Sequence, residues 1–273
     1  MISNGCKIMG VINITSDSFY THSRAQDVDS ALRMADDMIK EGVDILDVGG
    51  ESTNPKLDVT ESLVSLEKEM DRVIPVIEAI NNRFDIPISV DTSKPEIMKE
   101  AVRIGAKMIN DQRALIMSGA IEAAVELKVP VCLMHMYGLN KREPRTYNLQ
   151  ETLDEIKDYL LKRVNDCCEA GILKENIIID PGVGAANYGK STNESLFILK
   201  ELKQLVDTGY RVLVGYSNKS IIGEALNKPL EQRIGGSVAC ALLAAERGCS
   251  IVRVHNVGQT ADALKMLQAT LAA

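Results

Sequence analysis

"NIIIDPGVG", residues 176–184, is an apolar run that halts on a carboxylate, with a proline and a glycine directly behind it. Three consecutive isoleucines fit a short strand buried on both faces. Asp180 has no such place in a dry interior, because an ionised carboxylate is costly to bury. The pattern recurs along the chain. Eight apolar runs, at 7–14, 43–49, 86–92, 106–112, 129–136, 176–182, 210–217 and 250–256, each finish on a polar residue or just before one.

Longer amphipathic stretches separate the runs. The clearest predicted helices lie at 30–42, 60–80, 153–171 and 231–248, and Gly42, Gly105, Gly171 and Gly248 are placed to end helices before the next strand. Strict alternation of strand and helix implies parallel strands with right-handed crossovers. Eight such units predict a closed (β/α)8 barrel, a TIM barrel, with residues 1–273 as a single domain. The rival is an open doubly wound sheet. It lacks the glycine fingerprint expected after the first strand and seldom needs eight units.

In such a barrel the C-terminal ends of all strands converge on one face, where active sites are built. The polar residues ending the runs are Asn13, Asp47, Asp91, Asn110, Asp111, His135, Asp180, Ser217, Arg253 and His255. Each also has a plainer explanation. Asp111 and Ser217 read better as turn or cap residues, His135 as structural, and Asp47 equally as a supporting carboxylate. Asp180 could bond amides of its own "PGVG" turn. The set as a whole is harder to explain by capping. Asp91, Asn110 and Asp180 offer acceptors and an amide suited to a flat heterocycle bearing amino and ring N–H donors. Arg253 and His255 alternate in "RVH" and so share a strand face. With Lys219 in "SNKS" they suit an anion.

The remaining composition narrows the partners. The chain has 273 residues, 45% hydrophobic and 25% charged, with net charge −7. Nothing there favours nucleic acid or an anionic membrane. The start lacks the pattern of a signal peptide, and no run reaches the ~18 apolar residues that span a bilayer. The six cysteines, at 6, 132, 167, 168, 240 and 249, show no CxxC spacing and are read as reduced thiols of a cytoplasmic protein. The stretches after the first, second and fifth strands, 15–28, 50–59 and 137–148, are long enough to serve as lids.

The motifs "MGVINITSDSF" (9–19), "DVGGEST" (47–53), "ISVDTSK" (88–94), "INDQRAL" (109–115), "LMHM" (133–136), "IIIDPGVG" (177–184), "GYSNKS" (215–220) and "VRVH" (252–255) together resemble the dihydropteroate synthase family. They occur in the family's order along essentially the whole chain. The resemblance implies a folate-pathway transferase that joins 6-hydroxymethyl-7,8-dihydropterin pyrophosphate to p-aminobenzoate. It further implies that Asp91, Asn110, Asp180 and Lys219 hold the pterin, that Arg253 and His255 bind the pyrophosphate, and that Asn13 helps place a Mg2+ on it. Thr53 and Ser217 would lie beside the pyrophosphate or the aminobenzoate. Lys219, Arg253 and Asp91 would carry the chemistry. A homodimer is implied too, with the apolar "SVACALLAAERG" helix as a candidate interface. Lys219 is expected to stay charged unless burial lowers its pKa.

The chain also departs from that pattern. Asn54 and Asn218 stand where the family usually has arginine, and Val183 and Ala185 where it often has aromatic residues. The pterin and pyrophosphate positions are intact, while the aminobenzoate side is altered, with consequences expected for sulfonamide affinity. A non-catalytic paralogue that binds a pterin phosphate is the alternative. A corrinoid-type pterin methyltransferase domain comes third, because "SNKS" with "RVH" serves a pyrophosphate.

Overall fold

The computed structural model describes residues 5–14, 28–51, 64–137, 148–185 and 188–273. Its strands are β1 (Lys7–Asn13), β2 (Ile45–Gly49), β3 (Ile88–Asp91), β4 (Met108–Asp111), β5 (Val131–Met134), β6 (Ile177–Asp180), β7 (Arg211–Val214) and β8 (Ile251–Val254). Every predicted run contains one of them. All pair in parallel and in chain order, and β8 closes on β1. A closed ring excludes the doubly wound alternative, whose strand order reverses at a switch point.

The helices lie outside the ring: α1 (Val28–Glu41), α2 (Leu66–Arg83), α3 (Pro95–Arg103), α4 (Ala120–Leu127) and α5 (Leu149–Ala170) in the first half. The second half adds α6 (Thr192–Lys200), α7 (Lys203–Val206), α8 (Ser220–Leu226), α9 (Ile234–Glu246) and α10 (Val257–Ala272). Local chemistry sets their ends. Asn148 and Glu151 form a reciprocal capping box at the start of α5, and Gly171 ends it in the left-handed region at φ 111°. The helix expected over 60–80 begins at Leu66 instead, where the Ser65 hydroxyl accepts from the Lys68 amide; residues 60–63 lie outside the described part. The helix expected over 231–248 is shorter, because Leu230–Gln232 forms a separate 3-10 turn.

The interior of the barrel has two storeys. Met9, Ile45, Met108, Cys132, Ile178, Leu213 and Ile251 form an apolar plug of their own. Side chains on a strand alternate faces, so the residue two positions on points inward again, one storey higher. Those next inward residues include Asp47 after Ile45, Asn110 after Met108, Asp180 after Ile178 and Arg253 after Ile251. The outward residues, such as Ile177 and Ile179, pack instead with the helices. Burying an aliphatic chain of this size contributes roughly 1.5–3 kcal/mol. The strand β6 therefore keeps three isoleucines in the dry layers and turns polar only at its last, upper position.

Among the described residues no helix is long and apolar enough to cross a membrane. All six cysteines are free thiols.

Candidate active site

The upper storey is a connected polar ring rather than a set of separate caps. Arg253 Nε donates to Asp47 Oδ2 at 2.6 Å, and its Nη2 donates to Asp91 Oδ2 at 2.8 Å. Asn110 Nδ2 donates to the same Asp47 oxygen at 3.1 Å. Gln112 Nε2 closes the other side, donating to Asp91 Oδ1 at 2.8 Å. Four strands, β2, β3, β4 and β8, thus meet through five side chains. Asp47 is 0% exposed. It holds Arg253 and Asn110 in place from beneath, the supporting role weighed for it from sequence.

These contacts set the charges. Burial drives the Asp91 carboxyl up, Arg253 and Gln112 pull it back, Asp47 and Glu51 push it up again, and the result is a pKa of about 7. Burial works against the charge on Arg253, but the Asp47 and Asp91 carboxylates outweigh it and raise its pKa. Arg253 is therefore an oriented cation with one edge committed. Its Nη1 has no hydrogen-bond partner among the described residues.

Across the mouth, the Asp180 carboxylate accepts from the Gly182 amide at 2.7 Å, the turn contact considered above. Burial still raises its pKa against that bond and the nearby Lys219. Lys219 Nζ donates to the Val183 carbonyl at 2.6 Å and lies 3.9 Å from the centroid of the Tyr188 ring. Burial lowers its pKa to about 8, with Asp180 acting in the opposite sense. The condition attached to Lys219 in the sequence is met in part: it is half-buried, and its charge is less secure than that of a surface lysine.

His255 pairs with Ser217. The Ser217 hydroxyl oxygen accepts from the His255 amide at 3.1 Å and lies 3.0 Å from Nδ1. Burial, followed by the positive charge of Arg253 and Lys219, lowers the His255 pKa to about 3. His255 is thereby held neutral and adds no positive charge of its own. Asn13 ends β1 beside Gly49 on the same rim.

Two strand-end residues turn away from the mouth. Asp111 is wholly buried and accepts from the Arg113 and Leu115 amides and from Ser93, a turn former as its sequence suggested. His135 is packed edge-on against Tyr137 and Tyr159, with Lys190 Nζ 2.9 Å from its Nδ1. Lys190, 1% exposed, escaped the sequence reading because it precedes a helix in a polar stretch. It also donates to the Tyr188 carbonyl at 3.1 Å, so it fixes the segment that carries the ring beside Lys219. Gln112 and the Glu51–Arg113 pair (2.6 Å) were missed likewise, as ordinary loop polars. Their only sequence signal was adjacency to Asn110 and to "GGE".

The altered positions resolve in part. A few residues past Val183 and Ala185, Tyr188 places an aromatic ring with its centroid 3.9 Å from Lys219 Nζ. Asn218 sits at φ 61°, where asparagine is tolerated, with its Oδ1 turned inward to within 3.2 Å of Ser237 Oγ. Thr53 and Asn54, the whole of 52–63, and nearly all of 15–28 and 137–148 lie outside the described residues.

Gly182 gives the site a mechanical weak point. Its φ is +59°, and a Cβ there would lie 2.0 Å from the His135 carbonyl oxygen. Neither atom group can step aside cheaply, because both belong to the backbone. Gly182→Ala is expected to lose at least ~2 kcal/mol of stability, read as a lowered denaturation midpoint in urea; an unchanged midpoint would contradict this geometry.

A closed barrel carrying a buried polar ring at the C-terminal ends of its strands defines a (β/α)8 enzyme. A family model described as "Pterin binding enzyme" matches residues 9–255. The chain belongs to the pterin binding enzyme family, among the dihydropteroate synthases, which are transferases. It is 46% identical to the dihydropteroate synthase of Haemophilus influenzae over 97% of this chain and 94% of that one. Its structure matches a dihydropteroate synthase from Coxiella burnetii solved with pteroic acid, at TM-score 0.91 and 45% identity, covering 99% of this chain and 94% of the other. A Xanthomonas albilineans dihydropteroate synthase solved with 4-aminobenzoic acid matches at TM-score 0.89 and 42% identity, over 99% and 94%.

Proposed function

We propose that this chain condenses 6-hydroxymethyl-7,8-dihydropterin pyrophosphate with p-aminobenzoate, giving 7,8-dihydropteroate and pyrophosphate in folate biosynthesis. The observation that carries this reading is the single mouth shared by Asp91, Asn110, Asp180, Lys219 and Arg253, drawn from strands far apart in the chain. The ligands of the Coxiella and Xanthomonas enzymes support it.

The chemistry follows from the charges. Breaking the C–O bond to pyrophosphate leaves positive charge on the pterin methylene, delocalised into the ring. Asp91 and Asp180 stabilise that charge at positions fixed before the reaction begins. Lys219, the Nη1 edge of Arg253 and His255 receive the departing anion, with Ser217 orienting the His255 ring. The aminobenzoate nitrogen then attacks the methylene carbon and loses its proton. The Tyr188 ring beside Lys219 offers an aromatic face to the incoming amine.

Among the described residues no group of three or more His, Cys, Asp or Glu could hold a metal ion. A single neutral oxygen on Asn13 suits a Mg2+ that takes its other ligands from diphosphate and water. When bound, the ion neutralises charge on the leaving group. We place the enzyme in the cytoplasm, where its free thiols stay reduced. We further propose a homodimer through the α9 face, where Leu243 stands exposed on a largely apolar helix.

The test is release of pyrophosphate on mixing both substrates. Release is expected to require Mg2+ and to be accompanied by growth of a strain lacking the synthase when this chain is expressed in it. Binding of the pterin diphosphate without condensation would overturn the proposal and favour the non-catalytic paralogue.

A further inference from the structure

Gln112 follows β4, two residues past Asn110, and its side chain crosses to β3. Its Nε2 donates to Asp91 Oδ1 at 2.8 Å, while Arg253 occupies Oδ2 at the same distance. Each oxygen of the carboxylate is therefore held by a different element. A carboxylate can only accept, so the Gln112 amide must face it with its NH2, and this fixes the orientation of the group. Its Oε1 has no partner among the described residues. A half-buried amide is left with an anchored donor and an available acceptor, beside Asp91 at the C-terminal end of the barrel.

We propose that Gln112 is a specificity-determining residue for the heterocycle: it holds Asp91 in orientation through Nε2 and presents Oε1 to a ring N–H or amino donor. The inference rests on the reaction proposed above and deepens it. An acceptor at this point favours a ring edge rich in donors, as in a pterin, over one that presents only acceptors. The groups facing Asp91 are Arg253 from β8, Asp47 from β2, Glu51 just beyond β2, and Gln112 itself. Gln112 and Arg253 favour the anion, whereas Asp47 and Glu51 oppose it. Removing Gln112 therefore shifts the balance toward protonated Asp91.

The experiment compares the wild-type chain with Gln112→Leu and Gln112→Glu across pH 5.5–9, measuring kcat and both KM values. Equilibrium titration with the pterin diphosphate alone runs alongside. In Gln112→Leu the acidic limb of kcat/KM for the pterin substrate is expected to move up by about one pH unit, the size of a lost hydrogen bond to a charged group. At pH 7 the KM for the pterin substrate rises about tenfold, while that for aminobenzoate holds. Gln112→Glu, which adds a like charge, is expected to shift the limb further. An acidic limb that stays in place, or two KM values that rise together, would overturn the proposal. Should the wild-type chain fail to condense the substrates, the reaction is refuted separately. The titration still decides Gln112: a roughly tenfold weaker pterin complex in Gln112→Leu supports it, and equal affinity removes it.

Discussion

Replacing Lys219 with alanine is expected to lower kcat/KM by roughly three orders of magnitude, the scale of losing a group aimed at developing charge. The side chain has one place to go. Its stem passes Gly184, where a Cβ would lie 3.3 Å from Lys219 Cδ, and its ammonium is held between the Val183 carbonyl and the Tyr188 ring. Truncation removes the cation that faces both Asp180 and the diphosphate. Asp180, already raised by burial, then loses one of the charges that keep it ionised. Wild-type rates in Lys219→Ala would take Lys219 out of the chemistry. The pH profile separates charge from shape. Because burial lowers the Lys219 pKa to about 8, with Asp180 opposing, the ammonium is present below that pH and is lost above it. The alkaline limb of kcat/KM is expected near pH 8, and that of kcat higher, because a bound diphosphate favours the charged form. In Lys219→Arg, which cannot titrate in this range, the limb should disappear from whatever activity remains.

Much of this barrel was legible because fully buried parallel strands leave a simple trace. Ile177 and Ile179 face helices, Ile178 faces the plug, and each must be apolar, so β6 reads as an unbroken run. Asp180 was legible for the same reason, since it takes the one inward position above the plug. What the sequence withheld was pairing and charge. Nothing near Arg253 in the chain indicates Asp47, 206 residues away, yet that contact decides which edge of the guanidinium remains for a substrate. The neutral state of His255 depends on burial beside Arg253 and Lys219, and the pKa of Lys219 on the depth at which its amine sits. Gln112 was passed over because an uncharged residue in a turn carries no local mark of the partner it reaches. The Tyr188 ring beside Lys219 went unanticipated for a related reason: their contact is a matter of folding, since they lie 31 residues apart in the chain.

Arg253→Ala should damage both activity and fold, and the two losses can be separated. The guanidinium bridges two carboxylates, one wholly buried and the other nearly so. Taking it away leaves Asp47 and Asp91 close together without a cation. Breaking a buried pair from one side costs about 3–5 kcal/mol, but here the loss is limited, because Asp91 already titrates at about pH 7 and can take up a proton. The sign of the pH dependence follows. A carboxyl whose folded pKa lies above its unfolded value binds more protons folded than unfolded, so stability falls as pH rises from the unfolded pKa to the folded one. In the wild-type chain that window ends near pH 7; without Arg253 it extends upward. The stability gap between wild type and Arg253→Ala should therefore widen from pH 6 to pH 9, measured as unfolding free energy in urea. A gap that stays constant would mean that Asp91 does not sense the guanidinium. Adding Asp47→Asn to an Arg253→Met background removes the like-charge conflict and should recover much of the stability. The same double variant should remain on the order of a thousandfold below wild type in kcat/KM, because neither change restores a cation facing the leaving diphosphate. Recovery of both together would make Arg253 a structural residue and leave anion binding to Lys219 and His255.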